Sequence, residues 1–158
     1  LLKDRGEMLW FALAGWVVGH VVVLFGDLTR LTITYKLAPS YAEASDAVKP
    51  GIAAVAEAMQ FVAEDLTPSV GGLLAVGVGV AIYSVAILGS RSTIMPKWSG
   101  WLGLVAAVLM GWIGALGPVS DAFLALWFIG FMAFVIWVVS MGVFFLRAKR
   151  PDDTIPST

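Results

Sequence analysis

The chain contains no cysteine, which excludes disulfide frameworks, thiolate metal sites, cysteine nucleophiles and iron–sulfur clusters outright. It has a single histidine, His20, so a bis-histidine haem within one copy is excluded as well. Charge is scarce. Only 13% of residues are Asp, Glu, Lys or Arg, 59% are hydrophobic, and the mean hydropathy is +0.90. A soluble domain of this size needs roughly a quarter of its residues charged to cover its surface, so a water-soluble enzyme, a secreted module and a nucleic-acid binder do not fit. The net charge of −1 gives no polybasic footprint, and no nucleic-acid partner is expected.

What the 158 residues do hold is long apolar runs. Residues 8–26, 66–90, 98–120 and 122–146 carry no charge, and each run is long enough at about 1.5 Å per residue to cross a hydrocarbon core of roughly 30 Å. None shows the period-2 pattern of a barrel strand, and a bilayer requires each span to satisfy its own backbone. The expectation is an all-α integral membrane protein with four transmembrane helices at about 8–26, 68–90, 97–117 and 121–146, a single membrane domain with a polar tail at 147–158. A signal peptide is the weaker reading of the first run: no small-residue cleavage pair follows Val23-Leu24-Phe25-Gly26. The chain opens at Leu1 rather than Met, which leaves room for residues and further spans upstream.

Local punctuation suggests where these helices stop. Thr67-Pro68 reads as an N-cap followed by Pro in the first turn, Met95-Pro96 opens the third helix, Gly117-Pro118 closes it, and Ser120 caps the fourth beside Asp121. The external segment, 28–66, is too long for plain linker. Ser40 and Glu43 have the capping-box spacing, predicting a short helix to about Val48 that Pro50-Gly51 ends. A second, amphipathic helix follows, with Ile52, Val55, Met59 and Val62 on one face and Glu57, Gln60 and Glu64 on the other, read as a solvated surface.

No Asp, Glu, Lys or Arg falls inside the spans, so the ionisable relays of pumps and voltage sensors are missing. His20, Tyr83, Ser84 and Ser140 are the polar groups at depth, with His20 about 18 Å along the first helix. It is a candidate interhelical hydrogen-bonding group and, alternatively, a candidate cofactor-binding residue, the axial imidazole for a pigment. Against ligation, its neighbours one turn away, Trp16 and Leu24, offer no polar side chain to fix its tautomer. No cofactor is required by the sequence. Small residues recur at spacing four: Ala12, Gly15 and Gly19; Gly71, Ala75 and Gly79; Gly103, Ala107, Gly111 and Ala115. These are candidate helix-packing seams. The fourth helix instead carries Phe123, Trp127, Phe131 and Phe134, a bulky stripe suited to lipid, a partner helix or a pigment. Trp10, Trp98 and Trp101 are candidate interface anchors.

The run from Ser90 to Gly103, Ser-Arg-Ser-Thr-Ile-Met-Pro-Lys-Trp-Ser-Gly-Trp-Leu-Gly, resembles a bacterial family of multi-span membrane proteins of unknown function. That family's hallmark is a Pro-Arg-Trp-Leu-Gly-Trp-Leu-Gly loop opening a Gly-rich helix. Lys97 stands where that family has Arg, and Ser99 where it has Leu. The resemblance spans the second to fourth helices and implies more than four spans, but it brings no catalytic residues with it.

Function is accordingly expected to be non-enzymatic: a membrane subunit or accessory protein packed into a larger assembly or self-associated among membrane lipids. The alternative is a lipid- or pigment-binding protein using His20 and the aromatic stripe. A lipid-directed enzyme using the outer carboxylates is the weakest reading, because no nucleophile, base and orienting group converge. The basic residues set the expected orientation. Lys3, Arg5, Arg91, Lys97, Arg147, Lys149 and Arg150 flank the spans on one side, with only Arg30, Lys36 and Lys49 on the other. By the positive-inside rule both termini face the cytoplasm of a plasma-membrane protein. Single-cysteine variants at Lys97 and Glu57, labelled in intact cells with an impermeant maleimide, should react only at 57; reaction at 97 would invert the topology.

Overall fold

A computed structural model describes residues 6–91, 95–120 and 122–147, with the side chain of Pro118 left aside. Lys3, Arg5, Asp121, Lys149, Arg150 and the polar tail lie outside those residues. Among the described residues every regular element is helical, and four helices are long and apolar enough to cross a membrane: α1 (Gly6–Glu43), α2 (Lys49–Gly89), α3 (Lys97–Gly117) and α4 (Ala122–Arg147). The protein is an all-α, multi-span membrane bundle. At about 1.5 Å per residue, α1 with 38 residues and α2 with 41 are nearly twice as long as the roughly 30 Å apolar core requires. Their far ends therefore stand out of the bilayer as a helical hairpin.

This corrects the expected boundaries inside 28–66. Ser40 is not an N-cap: it lies in the last turns of α1, and its hydroxyl donates back to the Lys36 carbonyl at 2.8 Å. Pro50 does not end a helix but stands in the first turn of α2. Thr67-Pro68 does not start one either, because α2 runs straight through it and Thr67 donates to the Ala63 carbonyl at 3.3 Å. The reason is shared. Each interior proline follows a widened π-type turn, Ile33–Leu37 before Pro39 and Val62–Leu66 before Pro68, which absorbs the missing N–H and the ring's bulk. The two helices join through a tight turn in which Lys49 pairs with Asp46 at 3.0 Å and sits over the Tyr41 ring.

The other ends follow the sequence more closely. Pro96 is extended and α3 begins at Lys97, whose ammonium donates to the terminal carbonyls of α2, Ile87 at 3.2 Å, Leu88 at 2.5 Å and Ser90. A cation there meets the negative end of the helix dipole. After α3 tightens into a 3₁₀ turn over Gly114–Val119, the Ser120 hydroxyl accepts from the Ala122 amide at 3.3 Å and caps α4.

Packing runs in sequence order, α1 on α2, α2 on α3 and α3 on α4. Contact between α1 and α2 is backbone to backbone: a Cβ on Gly19 would lie 2.5 Å from the Ala75 nitrogen, and one on Gly79 would lie 3.0 Å from the Ala12 carbonyl oxygen. Farther out, Gly26 abuts Thr67 and Ala63. Between α2 and α3, Gly111 lies on the backbone of Gly77, and Trp112 donates its indole N–H to the Gly77 carbonyl at 3.0 Å. Both segments are π-wound here. Gly103 fits beside Ser84 and Trp137, Ala107 is buried, and Gly130 of α4 abuts Met110.

Gly111→Leu should therefore destabilise the bundle by about 3 kcal/mol or more, since rigid backbone on the facing helix cannot give way. Val108, 48% exposed, should accept Leu within about 0.5 kcal/mol. Equal thermal stability of the two variants in detergent would show that this crossing is not a rigid contact.

Candidate functional site

Helices α1 and α4 close the bundle only loosely. Where the other neighbours meet through glycine and alanine, these two face each other with aromatics, the Trp16 and Phe134 rings at 6.2 Å. The gap they leave is a cleft of about 670 Å³, partly open, with α2 and α3 as its floor. Its extent follows from side-chain size. Gly71, Gly72, Gly114, Ala115 and Gly117 bring almost nothing to fill the floor, while Trp127 and Phe134 wall it on the α4 side. The structure thus brings His20 and two members of the α4 aromatic stripe into one site. Phe131 stacks on Trp127 at 5.5 Å, and Phe123 is half-buried on the same helix.

The polar groups lie unevenly along this cleft. Glu64 and Asp65 stand at its outer end, His20 and Ser69 farther in, and the inner end is formed by Trp16, Val76, Met110 and Phe134. Glu64 accepts a hydrogen bond from Gln60 at 3.1 Å. Its expected role as part of a solvated face is thus incomplete, since one edge of that helix lines the mouth. Glu57 remains exposed to solvent.

His20 does not make the interhelical bond expected of it. Its Nδ1 is 2.8 Å from the Trp16 carbonyl in its own helix, and its ring lies 4.4 Å from the Trp16 ring. A carbonyl only accepts, so Nδ1 carries the proton and, in the neutral ring, Nε2 presents a lone pair. This is the arrangement that fixes the tautomer of a ligating imidazole. The side chains of Trp16 and Leu24 offer no such acceptor; the backbone one turn below supplies it. Among the described residues no group of three or more His, Asp or Glu could hold a metal ion.

Below the Trp16–Phe134 contact lies a second, smaller cleft of about 250 Å³, lined by Leu9, Ala12, Leu13, Gly79, Val80, Tyr83 and Trp137 along with Trp16. The Phe134–Trp137 and Tyr83–Trp137 ring contacts, at 6.2 and 5.9 Å, continue the aromatic partition between the two spaces. Trp10, Trp98 and Trp101 stand at the surface, 72, 51 and 63% exposed, and Trp98 meets Phe144 edge-on.

Gly72, Met110, Gly114, Asp65 and Ser69 were not legible as site residues. Gly72 breaks the spacing-four stripe, and Asp65 read as part of an external loop. Comparison with protein-family models, with curated proteins and with solved structures finds no match to this chain.

His20→Ala should lower stability by less than about 1 kcal/mol, because the bond it removes lies within one helix and the ring is exposed to the cleft. A larger drop in the detergent melting temperature would mean that the imidazole holds helices together.

Proposed function

We propose that this is a non-enzymatic membrane protein that binds an amphiphilic small molecule, of lipid class, in the cleft between α1 and α4. The observation that carries the reading is the cleft's graded lining: carboxylates at the outer end, an imidazole lone pair midway, and aromatic and aliphatic side chains at the inner end. A volume of about 670 Å³ falls in the range of small-molecule sites. Ser69 and His20 both line the cleft, but no hydrogen bond joins the hydroxyl to the imidazole, whose bond goes to the Trp16 carbonyl, and this favours binding over chemistry. The accessory-subunit reading rested on the small-residue seams, the aromatic face of the fourth helix and the absence of charge in the spans. Gly15, Gly19, Gly71, Ala75, Gly79, Gly103 and Gly111 all meet neighbours within this chain, so they no longer argue for an outside partner. The seven-to-three split of basic residues turns the mouth outward in a plasma-membrane protein, toward the external leaflet.

Gly72 gives a direct test. A Cβ there meets nothing within 4 Å, so Gly72→Trp should fill the cleft without disturbing the helix contacts. Native mass spectrometry of the detergent-released protein should show a bound amphiphile on the wild type and none on Gly72→Trp, at similar melting temperatures. Equal retention by both, or no adduct on either, would overturn the reading.

A further inference from the structure

Granting that the cleft is a ligand site, we infer that its ligand is an amphiphile with a cationic head, seated with the head between Glu64 and Asp65 and its apolar body toward Phe134. Three features point the same way. First, Glu64 and Asp65 are the only charged side chains in the lining, and no lysine or arginine balances them. Second, the two carboxylates are confined to one end. The floor from Glu64 to Val76 rises roughly 15–18 Å, and over that length the walls change from acidic to wholly apolar. A ligand polar at one end matches that gradient. Third, Glu64 is already tethered by a neutral donor, Gln60, which orients its carboxylate without neutralising it. An anionic headgroup would meet two like charges next to a low-dielectric wall. A zwitterionic one would bring its phosphate to the same place, with no basic side chain to receive it.

His20 adds a requirement on the ligand body. With Nδ1–H committed to the Trp16 carbonyl, the neutral ring offers Nε2 as an acceptor, so an N–H or O–H group on the ligand roughly 10 Å below the head finds a partner there. Ser69 faces the same zone from the floor.

The test uses the full chain in phosphatidylcholine nanodiscs, with empty discs as the partition control. Its probes are decyltrimethylammonium, decylphosphocholine and decyl sulfate below their micellar concentrations. They share one tail and differ in head charge. Specific binding to the wild type should follow the order cation, zwitterion, anion. The E64Q/D65N variant, which keeps side-chain size, should lose about tenfold in affinity for the cation alone, and Gly72→Trp should abolish binding of all three. If the three probes bind the wild type equally and all are lost in Gly72→Trp, the cleft stands as a site and the charge assignment falls. The charge assignment falls equally if the zwitterion binds as tightly as the cation, or if E64Q/D65N leaves cation affinity unchanged. Binding that survives Gly72→Trp, or no binding above empty discs, removes the cleft as the site altogether.

Discussion

Backbone-to-backbone contact between α1 and α2 at Gly19, Gly71 and Ala75 is the constraint on which the rest of the bundle depends. In lipid the hydrophobic effect gives helices no reason to associate, because acyl chains are as apolar as leucine. Dispersion between closely approaching surfaces has to replace it, and only positions without a Cβ, or with no more than one, let two backbones come that near. The same device recurs where Gly111 lies on Gly77 and where Gly130 meets Met110. Each crossing is satisfied by the next helix in sequence. After three such crossings no small-residue seam is left to join α4 back to α1, and bulky rings meet there instead. The cleft is therefore a consequence of where glycine is spent.

Spans were legible in the sequence because hydropathy over twenty residues is a property of the segment itself. Helix ends were less so. Pro96 and Ser120 work as local signals, since both are extended and each stands just before a helix start. Pro50 and Pro68 mislead in the same framework. A proline can mark a start, or be carried through a continuing helix when a π-type turn and a back-bonding Ser or Thr absorb the lost hydrogen bond. Ser40 and Thr67 look like caps by spacing alone, yet their hydroxyls point one turn backwards. Which solution is adopted is decided by tertiary contact: α1 and α2 keep packing through Gly26 and Ala63, and so remain helical.

The site was harder to read for a different reason. His20, Trp127 and Phe134 could each be singled out, but their convergence depends on α1 and α4 facing each other across a gap. Adjacent residues on a helix point about 100° apart. Gly71 therefore meets α1 at the edge of the cleft while Gly72 faces only open space, a difference that periodicity could register only with the neighbours known. The backbone acceptor for His20 was available four residues earlier, and a side-chain inventory overlooks it.

On the proposed reading the arrangement also distinguishes a binding site from a conduit. A passage across the bundle would need polar groups along its whole length, since moving a charged group through hydrocarbon without partners is costly. Here polarity ends with His20. Beyond it Trp16, Phe134, Trp137 and Tyr83 form a chain of ring contacts that divides the upper cleft from the smaller lower one. The lower space offers only the edges of Tyr83 and Trp137 among otherwise apolar walls, with no Asp, Glu, Lys or Arg in its lining to partner a migrating charge. Closed at that partition and acidic at its mouth, the upper cleft has one polar entrance and an apolar end. On the proposed reading, that geometry holds an amphiphile by one end while leaving its remainder in contact with the helices, which favours selection and retention over passage.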